Sequence, residues 1–304
     1  MNYDELDGME PIGFTAEHAK SKIFKILTEF SANVSREKFA VSAHDIEQIR
    51  SARKASLHLV NAHFENMEKT ALARRQTLID LGDIQFASIG CDCLPRTLLT
   101  RWGLKKTAKM GELSLPFDLA IHPSAAVAHL LETDFSTYFD GSLAFDNDKD
   151  YAVNTDLGIE LNHEIGSLFA AEDFAELKRR YRRRADNFIS LVASTDPVVF
   201  VHHAEELDAP AISRIVANLK LRRGNKVSGF VCLYTPPYGT APAAANLLIN
   251  EGIAVVPQPY PFKDYVWHKP QHTFSLRGVE FERKIVDKLR QALSDMQLVT
   301  SPSP

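Results

Sequence analysis

The chain is poor in cysteine. Three thiols in 304 residues, Cys91, Cys93 and Cys232, are an odd number and too few to staple a small extracellular domain, and they suit a reducing cytoplasm. Long apolar runs are also missing. No stretch approaches the ~20 residues that a helix needs to cross a bilayer, and the opening MNYDELDGMEPIG is acidic, without the apolar centre of a secretion signal. A soluble, cytoplasmic protein with no membrane span is therefore expected. Nor does charge of one sign dominate. The 35 basic side chains meet 39 acidic ones for a net charge of −4, which argues against bulk attraction to nucleic acid. What the chain does have is apolar residues, 45% of the total, enough for a substantial core.

The pattern divides the chain into an accessory helical region, 1–82, and an α/β body, 83–304. In the first part, Ala19, Ile23, Ile26, Leu27 and Phe30 recur at helical spacing after Thr15. A second, longer helix starts at the capping-box-like pair Ser42 and Asp45 and carries Ile46, Ile49, Leu57, Val60, Phe64 and Met67 toward a stop at Gly82. Its narrow stripe, interrupted by Arg53, suits packing across the body or pairing with a second copy in a homodimer.

The body is organised around FASIGCDCLPRTLL, residues 86–99. A short apolar run, a glycine, two cysteines around an aspartate, a proline and a helical pattern read as strand, turn and helix. Gly90 allows the turn and Pro95 suits a first helical turn. Cys93 then falls at the helix start, where free N–H groups favour a thiolate. The plainer reading is a small buried cysteine filling a crevice. Farther on, PVVFVHH, VSGFVCLYTPP and IAVVPQPYPF read as buried strands, each followed by a helix (210–219, 241–250 and 279–293). This repetition predicts a mainly parallel sheet covered by helices on both faces, a flavodoxin-like three-layer α/β fold. Sites in such sheets gather at the carboxyl ends of strands, which groups Cys93, His202, His203, the 234–239 loop and the 258–275 segment.

Other candidates lie between these units. In SLPFD, Pro116 holds Leu115 extended and puts Ser114 and Asp118 in a loop, where Asp118 either orients a catalytic partner or serves as a loop carboxylate. The stretch 140–150 reads as an exposed acidic loop, and YAVNTDLGIELNHEIG as a hairpin ending near His163, which is either a general base or a structural histidine. KRRYRRR, residues 178–184, places six basic residues among seven on a helix, a solvated face or a phosphate site through Arg180 and Arg183. Ahead of the last helix, Asp264, His268 and His272 offer a further base with its orienting acid, and the spacing does not choose between the two histidines.

Gly-x-x-Cys at 90–93, Pro-Phe-Asp at 116–118 and the later His163 resemble a family of uncharacterised function described as papain-like cysteine peptidases. The resemblance covers about residues 84–205. It implies Cys93 as nucleophile, with Asp118 and His163 in the site. Two positions depart from its pattern: Cys91 stands where serine is frequent, and Leu119 where tryptophan follows the aspartate. The strand-Gly-Cys-helix opening is also similar in architecture to capsule-polysaccharide acetyltransferases that bind coenzyme A, and to flavodoxin-like esterases.

These observations favour a cysteine-nucleophile acyl-group enzyme, a hydrolase or acyltransferase acting on a small-molecule, glycan or coenzyme A thioester substrate. Cys93 would attack, and amides from Leu94 onward would bind the oxyanion. His163, His268 or His272 would take the proton, with Asp118 or Asp264 orienting it. Gly90, Cys91, Ser114 and His202 would line the substrate. The chemistry requires no cofactor, and coenzyme A enters as acyl donor. The competing readings are a non-catalytic glycan- or nucleotide-binding module and a metal site built on Cys91 and Cys93, for which Cys-x-Cys alone is too few ligands.

Overall fold

A computed structural model describes residues 84–106, 111–139, 142–241, 252–273 and 275–298. The expected helices of 1–82, with the dimer contact assigned to them, and the helix expected at 241–250 lie outside the described residues, apart from Ala241.

Four parallel strands form the main sheet: β1 (Gln85–Ser88), β5 (Val198–Ala204), β6 (Ser228–Tyr234) and β7 (Ala254–Pro257), adjacent in that order. Every residue of β5 is buried, as a strand covered on both sides must be. Alternation divides its side chains. Val198, Phe200 and Ala204 join Phe230 and Cys232 in one apolar cluster with Leu177 and Phe188 of α3 (Ala171–Ala193) and Ile212 and Ile215 of α4 (Ala209–Arg223). Val199 and Val201 join Val231 and Leu233 in another, with Leu98 and Leu99 of α1 (Leu94–Arg101) and Ile285 and Leu289 of α6 (Leu276–Asp295). Local signals set the helix ends. Asp208 accepts from the Ala211 amide at the start of α4, and Ser275 from the Gly278 amide at the start of α6.

The long excursion between β1 and β5 builds a second sheet. After α2 (Ser124–Glu132), β2 (Leu143–Asp146), β3 (Tyr151–Asn154) and β4 (Ile159–Ile165) pair antiparallel in sequence order. The acidic loop expected at 140–150 is therefore partly strand, and His163 lies within β4 rather than beyond it. Two isolated bridges, Ile121 with Glu160 and Cys91 with His122, lead from β4 to the turn after β1. The short helix α5 (Pro270–Thr273) and the loop before it complete the carboxyl rim of the parallel sheet.

Candidate functional site

The turn after β1 is shaped by backbone that only small side chains tolerate. Gly90 has φ +108°, and a Cβ there would lie 2.5 Å from Val127 Cγ2. Cys91 follows at φ +22°, also in the left-handed half of the map. Cys93 then caps α1 and Pro95 occupies its first turn, as the sequence predicts.

The turn brings Cys93 Sγ to 3.2 Å from His163 Nε2, across 70 residues of sequence. Cys93 is 4% exposed, while His163 is an exposed residue. Burial pushes the Cys93 thiol well above its ordinary pKa; the Asp92 and Asp118 carboxylates push the same way, against Arg96 and Arg184. The expected helix-stabilised thiolate is thus corrected to a neutral thiol facing an imidazole nitrogen. Of the amides from Leu94 onward expected to bind an oxyanion, the first is taken: the Leu94 amide donates to Asp92 Oδ1 at 2.9 Å.

Asp118 has another task. Its carboxylate accepts from the Ser88 hydroxyl and, at 2.8 Å, from the Leu115 amide, with Lys105 Nζ 4.0 Å away. Fully buried, it closes the SLPFD loop onto the end of β1. Ser114 contributes a carbonyl that accepts from Asn187 Nδ2 at 3.1 Å.

His202 and His203 both reach the rim, on opposite sides of the sheet. His202 Nδ1 is 2.9 Å from the Ile89 carbonyl, so it carries the proton and Nε2 accepts, 3.1 Å from Ser124 Oγ. Ser124 in turn lies 3.3 Å from Cys91 Sγ, which is 3.9 Å from the same His202 nitrogen. Burial lowers the His202 pKa to about 4, keeping the ring neutral. His203 Nδ1 is 2.9 Å from Asp92 Oδ1 and its Nε2 2.6 Å from Thr235 Oγ1. Burial alone would raise the Asp92 carboxyl, yet His203, the Leu94 amide and the Trp267 side chain together bring it below its ordinary value.

The remaining candidates are held by other contacts or exposed, and His268 also feels the Asp92 charge. His272 Nδ1 accepts from the Val266 amide at 2.9 Å, stabilising its own loop. His268 is exposed with its ring against Trp267, and Asp264 is an exposed turn residue at φ +61°. The basic run is largely neutralised. Arg180 pairs with Glu164 and Glu176, Arg184 with Glu164, and Arg179 with Glu176, while Arg182 and Arg183 are exposed. Among the described residues, no group of three or more His, Cys, Asp or Glu side chains is arranged to hold a metal ion, and no helix is long and apolar enough to cross a membrane.

The sequence offers no site role for Asp92, Ser124 or Thr235 individually. Asp92 stands between two cysteines, Thr235 lies in the 234–239 loop grouped at the rim, and Ser124 reads as a helix cap, although the structure puts Pro123 at that position. No protein family, curated protein or solved structure matches the chain.

Proposed function

We propose that the chain is a cysteine-nucleophile acyl-group enzyme, a hydrolase or acyltransferase, on a three-layer flavodoxin-like body. One observation carries the reading: the 3.2 Å contact between Cys93 Sγ and His163 Nε2 beside the protein surface. The resemblance to papain-like cysteine peptidases in Gly90, Cys93 and His163 supports it. At rest burial holds the thiol neutral, facing the imidazole nitrogen. As Sγ bonds to the acyl carbon, the S–H proton passes to Nε2 and the carbonyl becomes an oxyanion. When that intermediate collapses, the imidazolium returns the proton to the leaving group, and a thioester remains on Cys93. Water or an acceptor hydroxyl then gives its proton to His163 and attacks the thioester, releasing the product and regenerating the thiol. No resident cofactor takes part. A glycan-borne acyl group or a coenzyme A thioester fits this scheme, and the exposed Arg182 and Arg183 are the groups of the basic run open to coenzyme A phosphates.

The test is acylation by small aryl esters and thioesters, followed by intact mass and peptide mapping. A single acyl group is expected on Cys93. Its rate should fall by about 10²–10⁴ in H163A, the usual contribution of a positioned base, with no adduct at that position in C93A. Equal rates in wild type and H163A would remove the proposal.

A further inference from the structure

Asp92 immediately precedes Cys93, and two hydrogen bonds fix its carboxylate. Oδ1 accepts from the Leu94 amide at 2.9 Å and from His203 Nδ1 at 2.9 Å, and the Trp267 side chain approaches from the last loop and favours the charged form. Thr235 Oγ1, 2.6 Å from His203 Nε2, holds the other edge of that ring. These partners come from the turn after β1, the ends of β5 and β6, and the loop after β7, so the carboxylate cannot swing aside without breaking contacts to several elements. Its side chain is 20% exposed, enough to face an incoming ligand while remaining poorly screened.

We propose that Asp92 is a specificity-determining residue that turns away anionic groups beside Cys93, so that the acyl compound is neutral or cationic next to its reacting carbonyl. The inference rests on Cys93 as nucleophile and names the charge class of what it attacks. Two features carry it. The carboxylate already occupies the Leu94 amide, the first donor of the helix that would otherwise receive a substrate anion. The same charge is also felt at the thiol, where burial first and then Asp92 hinder ionisation of Cys93 against the pull of Arg96 and Arg184. Two unit charges within several ångströms of each other at an effective dielectric of about 20 interact strongly enough to change a rate by about tenfold or more.

Paired alkylation of the whole protein tests this. Iodoacetamide and iodoacetate both consume the thiolate, so the ratio of their rates at one pH does not depend on how much thiolate is present. Mapped to Cys93, the amide-to-acetate ratio should exceed that of the neutral thiol N-acetylcysteinamide by about tenfold or more. D92N preserves the side-chain shape and an acceptor for Leu94, and it should bring the ratio to within about threefold of the free thiol. Cationic and anionic methanethiosulfonates on wild-type protein, which need no substitution, should show the same bias toward the cation. A wild-type ratio equal to that of the free thiol, or one unchanged by D92N, overturns the inference. The Cys93–His163 reading fails separately, if H163A alkylates at Cys93 as fast as wild type.

Discussion

Arg184 and Glu164 form a buried ion pair, Nη2 to Oε1 at 2.6 Å, with side-chain exposures of 9% and 3%. The most conspicuous basic run in the sequence therefore turns two of its cations inward, since Arg180 approaches the other oxygen of the same carboxylate at 2.9 Å. Removing the carboxylate strands Arg184, whose Nη1 is already buried without a partner. E164A should cost about 3–5 kcal/mol in urea unfolding. R179A, which breaks a pair whose arginine is 63% exposed, should cost at most about 1 kcal/mol.

The contacts of Asp118 are those of a stabilising carboxylate. D118A leaves the Leu115 amide and the Ser88 hydroxyl without their acceptor in a buried place. A loss of about 1–3 kcal/mol is expected for each donor so stranded. Acylation of Cys93 per folded molecule should stay within about threefold of wild type, because no transferred proton passes through this carboxylate, whereas removing a true general base costs at least about a hundredfold. Unfolding curves and acylation rates on the same samples separate the two roles.

Gly90 is required twice, by its positive φ and by the approach of Val127. G90A should destabilise the fold by about 1–3 kcal/mol and slow Cys93 acylation by displacing the turn. G90A/V127A should recover the share due to the contact and keep the share due to backbone strain. Recovery of the whole loss would show that φ contributes nothing.

Two buried imidazoles contribute to the loss of stability in acid. Burial lowers the His122 pKa to about 3 and the His202 pKa to about 4, against about 6.5 in an unfolded chain. Below pH 6.5 the unfolded chain takes up protons that these rings refuse. Their contribution is thus complete above pH 6.5 and is lost progressively from there down through pH 4 and then 3. Urea unfolding at pH 7, 5.5 and 4.5 should show this decline. H202N, which removes one of the two groups, should flatten the slope by up to one proton.

Much of the main sheet was legible because its strands are continuous apolar runs of β-branched and aromatic residues. VVFV and GFVCLY admit few alternatives once a helical pattern follows each. The turn at Gly90 and Cys93 was legible for the same local reason. β2 was not: four residues, LAFD, in an acidic stretch carry too little pattern, and the strand owes its existence to pairing with β3. His163 could be named but not chosen over His268 and His272, since the distance that decides spans 70 residues. Asp118 shows a further limit. A carboxylate after Pro-Phe reads alike whether it serves a reaction or a loop, and only its contact with Ser88 distinguishes them. The pairing of Asp92 with His203 depends on β1 lying beside β5, which periodicity does not encode.

That adjacency has a cost during synthesis. Gln85 meets Val198, so β1 leaves the ribosome 113 residues before its neighbour in the sheet can follow. At about 5–20 residues per second the wait is on the order of ten seconds. Throughout it the two faces of the strand fare differently: Phe86 shares its cluster with Leu98 and Leu99 of the helix that follows directly, whereas Ala87 shares its cluster with Ala152, Ile159 and Leu161 of the second sheet, complete by Ile165.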